Sequence, residues 1–140
     1  VSSNVAEYGD YNICLLNGQF TERLGVISLD GLWATSVERT LIDAAVRPIY
    51  SGGIPEVLIA FKKAAGKVSI NKLAAMLKKL EFVYPYHQAI GFYMQKSGAY
   101  NDVQIKLLKS FAFEYDFYIT HQLQEKEYSK EWRLYYPKGF

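Results

Sequence analysis

The sequence predicts an α+β fold, in which strand hairpins at the start and an antiparallel strand pair at the end, joining one sheet, flank about five helices. Three observations carry that prediction. Short apolar runs broken by turn dipeptides fill the first thirty-odd positions, helical spacing of apolar residues runs from Thr35 to Phe111, and aromatic strand-like runs follow. Elements of one kind cluster instead of alternating, which favours segregated layers over parallel βαβ units. At 140 residues the chain reads as one domain, 1–140, long enough to bury a core.

The first run, "YNICLLNGQF", alternates weakly, and its Asn17-Gly18 suits a turn with positive φ. "LGVISLDGLWATS" reads as a second hairpin folded at Asp30-Gly31. Thr35 followed by Glu38 has the spacing of a capping box, in which each side chain satisfies a free backbone N–H of the first helical turn. Val37, Leu41, Ala44 and Ala45 then form a buried stripe, and Arg47-Pro48 ends it, because proline disfavours helical geometry at the residue before it. Gly52-Gly53 breaks the chain, and Pro55 suits the first turn of the next helix, which turns Val57, Leu58, Phe61 and Ala65 inward and stops at Gly66. Ser69 caps a third helix with Ile70, Leu73, Ala74, Leu77 and Leu80 inside. Tyr84-Pro85 opens a fourth, to about Ser97-Gly98, and "DVQIKLLKSF" makes the fifth. "FEYDFYIT" and "EWRLYYP" are two strands joined by a polar loop from His121 to Lys130.

Composition narrows the function classes. The net charge of +2 is too small to demand a polyanion partner, but its distribution is uneven. Between Val57 and Leu80 the charged residues are Lys62, Lys63, Lys67, Lys72, Lys78 and Lys79, with no acid among them. One cysteine, Cys14, allows no internal disulfide and no four-cysteine metal site, so a reducing, cytoplasmic setting is expected. No apolar run approaches the roughly 20 residues that cross a bilayer, so no membrane partner is expected.

Catalytic and metal chemistry find little support. His87 and His121 are far apart in sequence and lack carboxylates at helical spacing, so no metal is expected. Cys14 lies in the apolar run "ICLL" without a nearby cation, and reads as a buried, small hydrophobe. There is no phosphate-cradling glycine loop and no nucleophile elbow, so no cofactor and no catalytic residue are assigned. Most aromatics fall at core-like spacing, which leaves a base-stacking platform unsupported.

Arg39 and Asp43 stand four residues apart and meet on one helix face. With Thr35, Glu38, Pro48, Gly52 and Gly53 they read as a structural frame, Arg39 using its planar fork to hold several acceptors. The lysines admit two readings. One is a solvated outer face; the other is a surface for nucleic acid or an acidic protein, where each neutralised phosphate releases a counterion.

"LLNGQFTERLGV", "WATSVERTLIDAAVRPIYSGGIPEVLIAFKKA", "HQAIGFYMQKSG" and "EWRLYYP" together resemble the AbiEi family, antitoxins and transcriptional repressors of bacterial abortive-infection (type IV) toxin–antitoxin systems. The likeness covers about 120 residues. Thr35, Ser36, Glu38, Arg39, Thr40, Leu41, Asp43, Pro48, Gly52 and Gly53 match a T-S-x-E-R-T-L-x-D helix followed by a proline and a Gly-Gly turn. Gly91, Phe92 and Gly98 match an R-x-G-Y/F-x-x-E-x-x-G helix, and Trp132 and Leu134 a final R-W-x-L strand. The second block departs from the pattern: Gln88 and Ala89 stand where a basic residue is common, and Gln95 stands for Glu, so an ion pair is lost.

The resemblance implies a binding domain without catalysis, the C-terminal domain of such a protein. It implies a nucleotidyltransferase-like toxin as protein partner and operator DNA as the partner of the full-length protein. An N-terminal winged-helix domain is expected there, and nothing before Tyr11 could hold one. Extra phosphate contacts are assigned to the six lysines on charge alone. Two alternatives remain open. One is a defence-associated nuclease-like enzyme, in which Glu38, Asp43 and either Glu114 or Asp116 would cluster in an open cleft with a lysine; the other is a plain dimerisation module, a homodimer whose lysines are solvated.

Overall fold

The computed structural model describes residues 4–18 and 22–140. The α+β prediction holds: two hairpins precede five helices, and a small sheet closes the chain. Strands β1 (Asn4–Tyr8) and β2 (Tyr11–Leu15) form the first hairpin, and β3 (Val26–Leu29) and β4 (Leu32–Thr35) the second. The first turn is Gly9-Asp10, upstream of the expected Asn17-Gly18, and Gly9 takes the positive φ. The second turn lies where expected: Asp30 at φ 48° and Gly31 at φ 81° make the mirror-image turn that matches strand twist.

Helix α1 (Val37–Val46) ends one residue before Arg47, and Pro48 opens a single 3-10 turn, Pro48–Ser51. Gly52, at φ 83°, caps that turn, and Gly53 caps α2 (Ile54–Ala64), which carries its proline in the first turn as expected. A side chain at Gly52 would also press on Glu56, so glycine is required there twice over. Ser69 caps α3 (Ile70–Leu80), whose five predicted inward residues are all buried. Val37 departs from its predicted stripe and is exposed, because it sits at the very start of α1, outside the packed turns.

Helix α4 (Tyr86–Ser97) is the centre of the molecule, packed against α1, α2, α5 and the C-terminal strands. Its residues from Gln88 to Met94 are all buried, on every side of the helix, and six of the seven are apolar, with Gln88 the exception. Helix α5 (Asp102–Lys109) starts with a reciprocal capping box, in which Asn101 accepts from Gln104 N–H and Gln104 from Asn101 N–H.

The C-terminal strands pair differently from expectation. β5 (Phe117–Tyr118) runs parallel to β7 (Leu134–Pro137), while β6 (Lys126–Ser129) arises inside the predicted polar loop and pairs with β7 antiparallel. The resulting sheet, in the order β5-β7-β6, joins neither N-terminal hairpin. A mostly polar run, Lys126-Glu127-Tyr128-Ser129, hid β6, whose faces are mostly exposed. Among the described residues no helix is long and apolar enough to cross a membrane.

The motif residues of the α4 and β7 blocks meet in the core. Trp132 is buried against Gly91, where any Cβ would overlap its indole ring. Gln88, fully buried, donates through Nε2 to the carbonyls of Tyr115 (3.1 Å), Trp132 (2.8 Å) and Arg133 (3.0 Å). Gln95 accepts from the Trp132 indole N–H and donates to Glu131 at 2.7 Å, and Glu131 pairs with Lys109. The amide at position 95 thus grips both an indole and a carboxylate, a task that a second carboxylate could not perform.

Candidate functional site

The contacts around α1 differ from the expected capping box. Ser36, not Thr35, caps α1: its hydroxyl accepts from Arg39 N–H at 3.3 Å, while the Thr35 and Thr40 hydroxyls bond each other at 2.7 Å. The predicted Thr35–Glu38 capping box is therefore not made. Glu38 is buried and reaches out of its own helix, its Oε1 accepting from Ser69 N–H at 2.9 Å at the start of α3. The reason is packing: α1 lies on α3, and a buried carboxylate needs a donor. Burial by itself pushes the Glu38 carboxyl up, but the Ser69 N–H, its own N–H, the Ser36 hydroxyl and the nearby Lys72 outweigh it and hold the group below the usual glutamate value.

Arg39 acts as the sequence suggested. Its Nε donates to Asp43 Oδ1 at 2.9 Å and its Nη1 to the Leu24 carbonyl at 2.7 Å, tying α1 to the segment before β3. Gly25 packs so closely on the Arg39 side chain that a Cβ there would collide with it. Arg47 Nη2 donates to the Asn17 carbonyl at 3.3 Å.

The six lysines are all exposed, but they form two groups rather than one band. Lys62 and Lys63 end α2, Lys67 lies in the connecting turn, and Lys72 is in the first turn of α3, so these four surround one corner. Lys78 and Lys79 occupy the last turn of α3, about 10 Å further along its axis at 1.5 Å per residue. Lys79 stands two turns beyond Lys72 on the same face, whereas Lys78 turns away and sets its ammonium 5.6 Å from the Phe111 ring centre. Among the described residues none of the six is in an ion pair. The lysines ending α2 and α3 also complement the negative ends of those helices, which a solvated face would do equally.

Three of the four carboxylates considered for an enzyme site are engaged elsewhere. Glu38 is bonded to Ser69 N–H, Asp43 to Arg39, and Asp116 to Arg133 at 3.0 Å and to the Tyr128 hydroxyl at 2.8 Å. Glu114 lines a groove with Lys78 and Glu81 instead. Among the described residues no group of three or more His, Cys, Asp or Glu is placed to hold a metal ion. His87 packs its ring on Phe111 and shares a hydrogen bond with the Ala112 carbonyl; burial draws its pKa down, and that bond opposes the shift. Cys14, expected in an interior, is exposed, since no layer covers its strand.

Sequence reasoning missed the groove that Glu114 lines, a cleft of about 350 Å³ between the end of α3, the start of α4 and the segment after α5. Its signal was "FVYPY", residues 82–86, where Val83 and Tyr84 are strongly exposed although both are apolar types. Comparison with protein-family models, with curated proteins and with solved structures finds no match to this chain.

Proposed function

We propose that this chain is the non-catalytic regulatory domain of an antitoxin and transcriptional repressor of the AbiEi kind. In this reading it neutralises a nucleotidyltransferase-like toxin and adds phosphate contacts to operator binding by the full-length protein. The supporting observation is the exposed lysine corner of Lys62, Lys63, Lys67 and Lys72, none in an ion pair among the described residues and carried by the end of α2, the connecting turn and the start of α3. Ammonium groups outside ion pairs are open to an incoming phosphate, and binding is then driven by counterion release. Lys79 extends the same face along α3, while Lys78 is drawn towards Phe111.

The test is a salt series of fluorescence anisotropy on operator-length duplex DNA. Replacing the four corner lysines with alanine is expected to flatten the slope of log K against log salt by about 3 to 4, at roughly 0.9 per phosphate contact. No binding by the unaltered chain at low salt removes the DNA part of the proposal. Co-expression with the neighbouring gene product tests the antitoxin part, which fails if growth inhibition is unchanged. The homodimer is favoured by a separate observation, the apolar faces that both hairpins leave open. Sedimentation velocity across a concentration series decides that point.

A further inference from the structure

The aromatic groove lies outside the lysine corner and has a different character. Buried Leu77 and half-buried Phe111 are on its inner side, and Tyr84 and Tyr115, each 62% exposed, stand at its mouth. The Tyr84 ring is braced, stacked on Phe117 at 6.3 Å and edge-on to Tyr86 at 6.2 Å, while Tyr86 meets Phe82 edge-on at 4.9 Å. Pro85, at φ −80°, fixes the backbone between these two tyrosines. Among the described residues the Tyr84 and Tyr115 hydroxyls have no hydrogen-bond partner. The mouth therefore offers one braced ring, that of Tyr84, a second exposed ring, that of Tyr115, and two unused O–H groups.

The charges restrict what can enter. Glu81 and Glu114 line the groove against a single ammonium, Lys78, which is turned to the Phe111 ring. Two carboxylates against one cation oppose a phosphate-rich strand and favour an occupant carrying positive charge. The volume of about 350 Å³ lies at the lower end of the usual range for binding sites, about 300–1,000 Å³, and suits a few compact side chains.

We propose that this groove docks a proline-rich segment of a partner protein in the polyproline II conformation, with a lysine or arginine beside its prolines. Such a segment makes no internal hydrogen bonds and displays its carbonyls, and its prolines have no N–H to satisfy. A site for it must supply ring faces and donors, and Tyr84 and Tyr115 supply both. The segment is largely ordered before it binds, so a shallow groove suffices. Glu81 and Glu114 receive the basic residue. The site does not depend on the lysine corner or on DNA binding.

The test is an NMR titration of the full chain with a synthetic ten-residue peptide of prolines and leucines carrying one arginine. Saturable shifts at Tyr84, Tyr115 and Phe111 are expected. Kd should rise roughly tenfold for Tyr84→Ala, Tyr115→Ala or a peptide with alanine at its proline positions. The double variant Glu81→Gln, Glu114→Gln should erase the preference for the arginine peptide over its glutamine counterpart. Both tyrosines are exposed, so these variants retain the fold, which their unchanged spectra away from the groove will verify. The proposal is overturned by the absence of saturable shifts at millimolar peptide, by equal binding to the tyrosine variants, or by oligothymidylate displacing the peptide from these residues.

Discussion

The N-terminal hairpins and the helical body are built from similar residues and treat them in opposite ways. Tyr8 and Tyr11 are 75% and 76% exposed at the tip of the first hairpin, whereas Tyr93 is fully buried in α4, stacked on Phe61 at 5.3 Å. Register explains part of the contrast. In the first hairpin Ala6 opposes Ile13 and Tyr8 opposes Tyr11, so most apolar residues share one face while Val5 and Cys14 lie on the other, yet no second layer packs on the strands. A two-stranded ribbon alone is at best marginally stable in water. In the body every helix has at least one helical neighbour, and α4 also receives the sheet. The lesson is that patterning creates a face, while stability comes only from what covers it.

Four substitutions sharpen or break this contrast. Gly91→Ala is expected to do the most damage, about 3 kcal/mol by urea unfolding, because the new methyl overlaps the Trp132 ring in a core that cannot open. A near-neutral result would mean that the junction of α4 and β7 is looser than the body requires. Next comes Glu38→Gln, which weakens the link from α1 to α3 by roughly 2 kcal/mol at neutral pH.

Glu38 also sets a pH dependence whose sign follows from its lowered pKa. The unfolded chain, near the ordinary value of 4.5, takes up a proton before the folded one does. The contribution is therefore complete above about pH 4.5 and is lost as the pH falls through the folded value. Acid unfolding curves of the glutamine variant should lack that portion of the decline. Arg39→Lys follows at about 1 kcal/mol, since one ammonium cannot hold both Asp43 and the Leu24 carbonyl in the fork geometry; thermal unfolding measures it. Leu15→Ser should change stability by less than about 0.5 kcal/mol, because the side chain is already in water. A larger, concentration-dependent loss would show instead that a second copy covers the first hairpin.

Much of the body could be read from local signals. Proline and glycine positions marked the breaks at Arg47, Gly52 and Gly66, and Ser69 marked a cap, since each effect acts within one turn of the chain. Cap choice at Thr35 or Ser36 could not be read that way, because both hydroxyls compete for the same turn and Glu38 is drawn to Ser69, thirty-one residues away. Strand β6 escaped for a related reason: its residues are mostly polar and present no buried face, and only pairing with β7 defines it as a strand. The lysines were visible as a run without acids, but their division between a corner and a groove depends on the direction in which α3 leaves that corner.

Helix spans, breaks, the inward stripe of α3 and the local excess of positive charge thus belong to the chain's own order, because each depends on neighbours within a few residues. Which carboxylate finds which amide, that Trp132 seats on Gly91, and that Phe82–Tyr86 line a groove with Phe111 and Tyr115 belong to three-dimensional packing. Those contacts join residues far apart in sequence, and the gain in closing them appears only when α1, α3, α4, α5 and the last strand are assembled together.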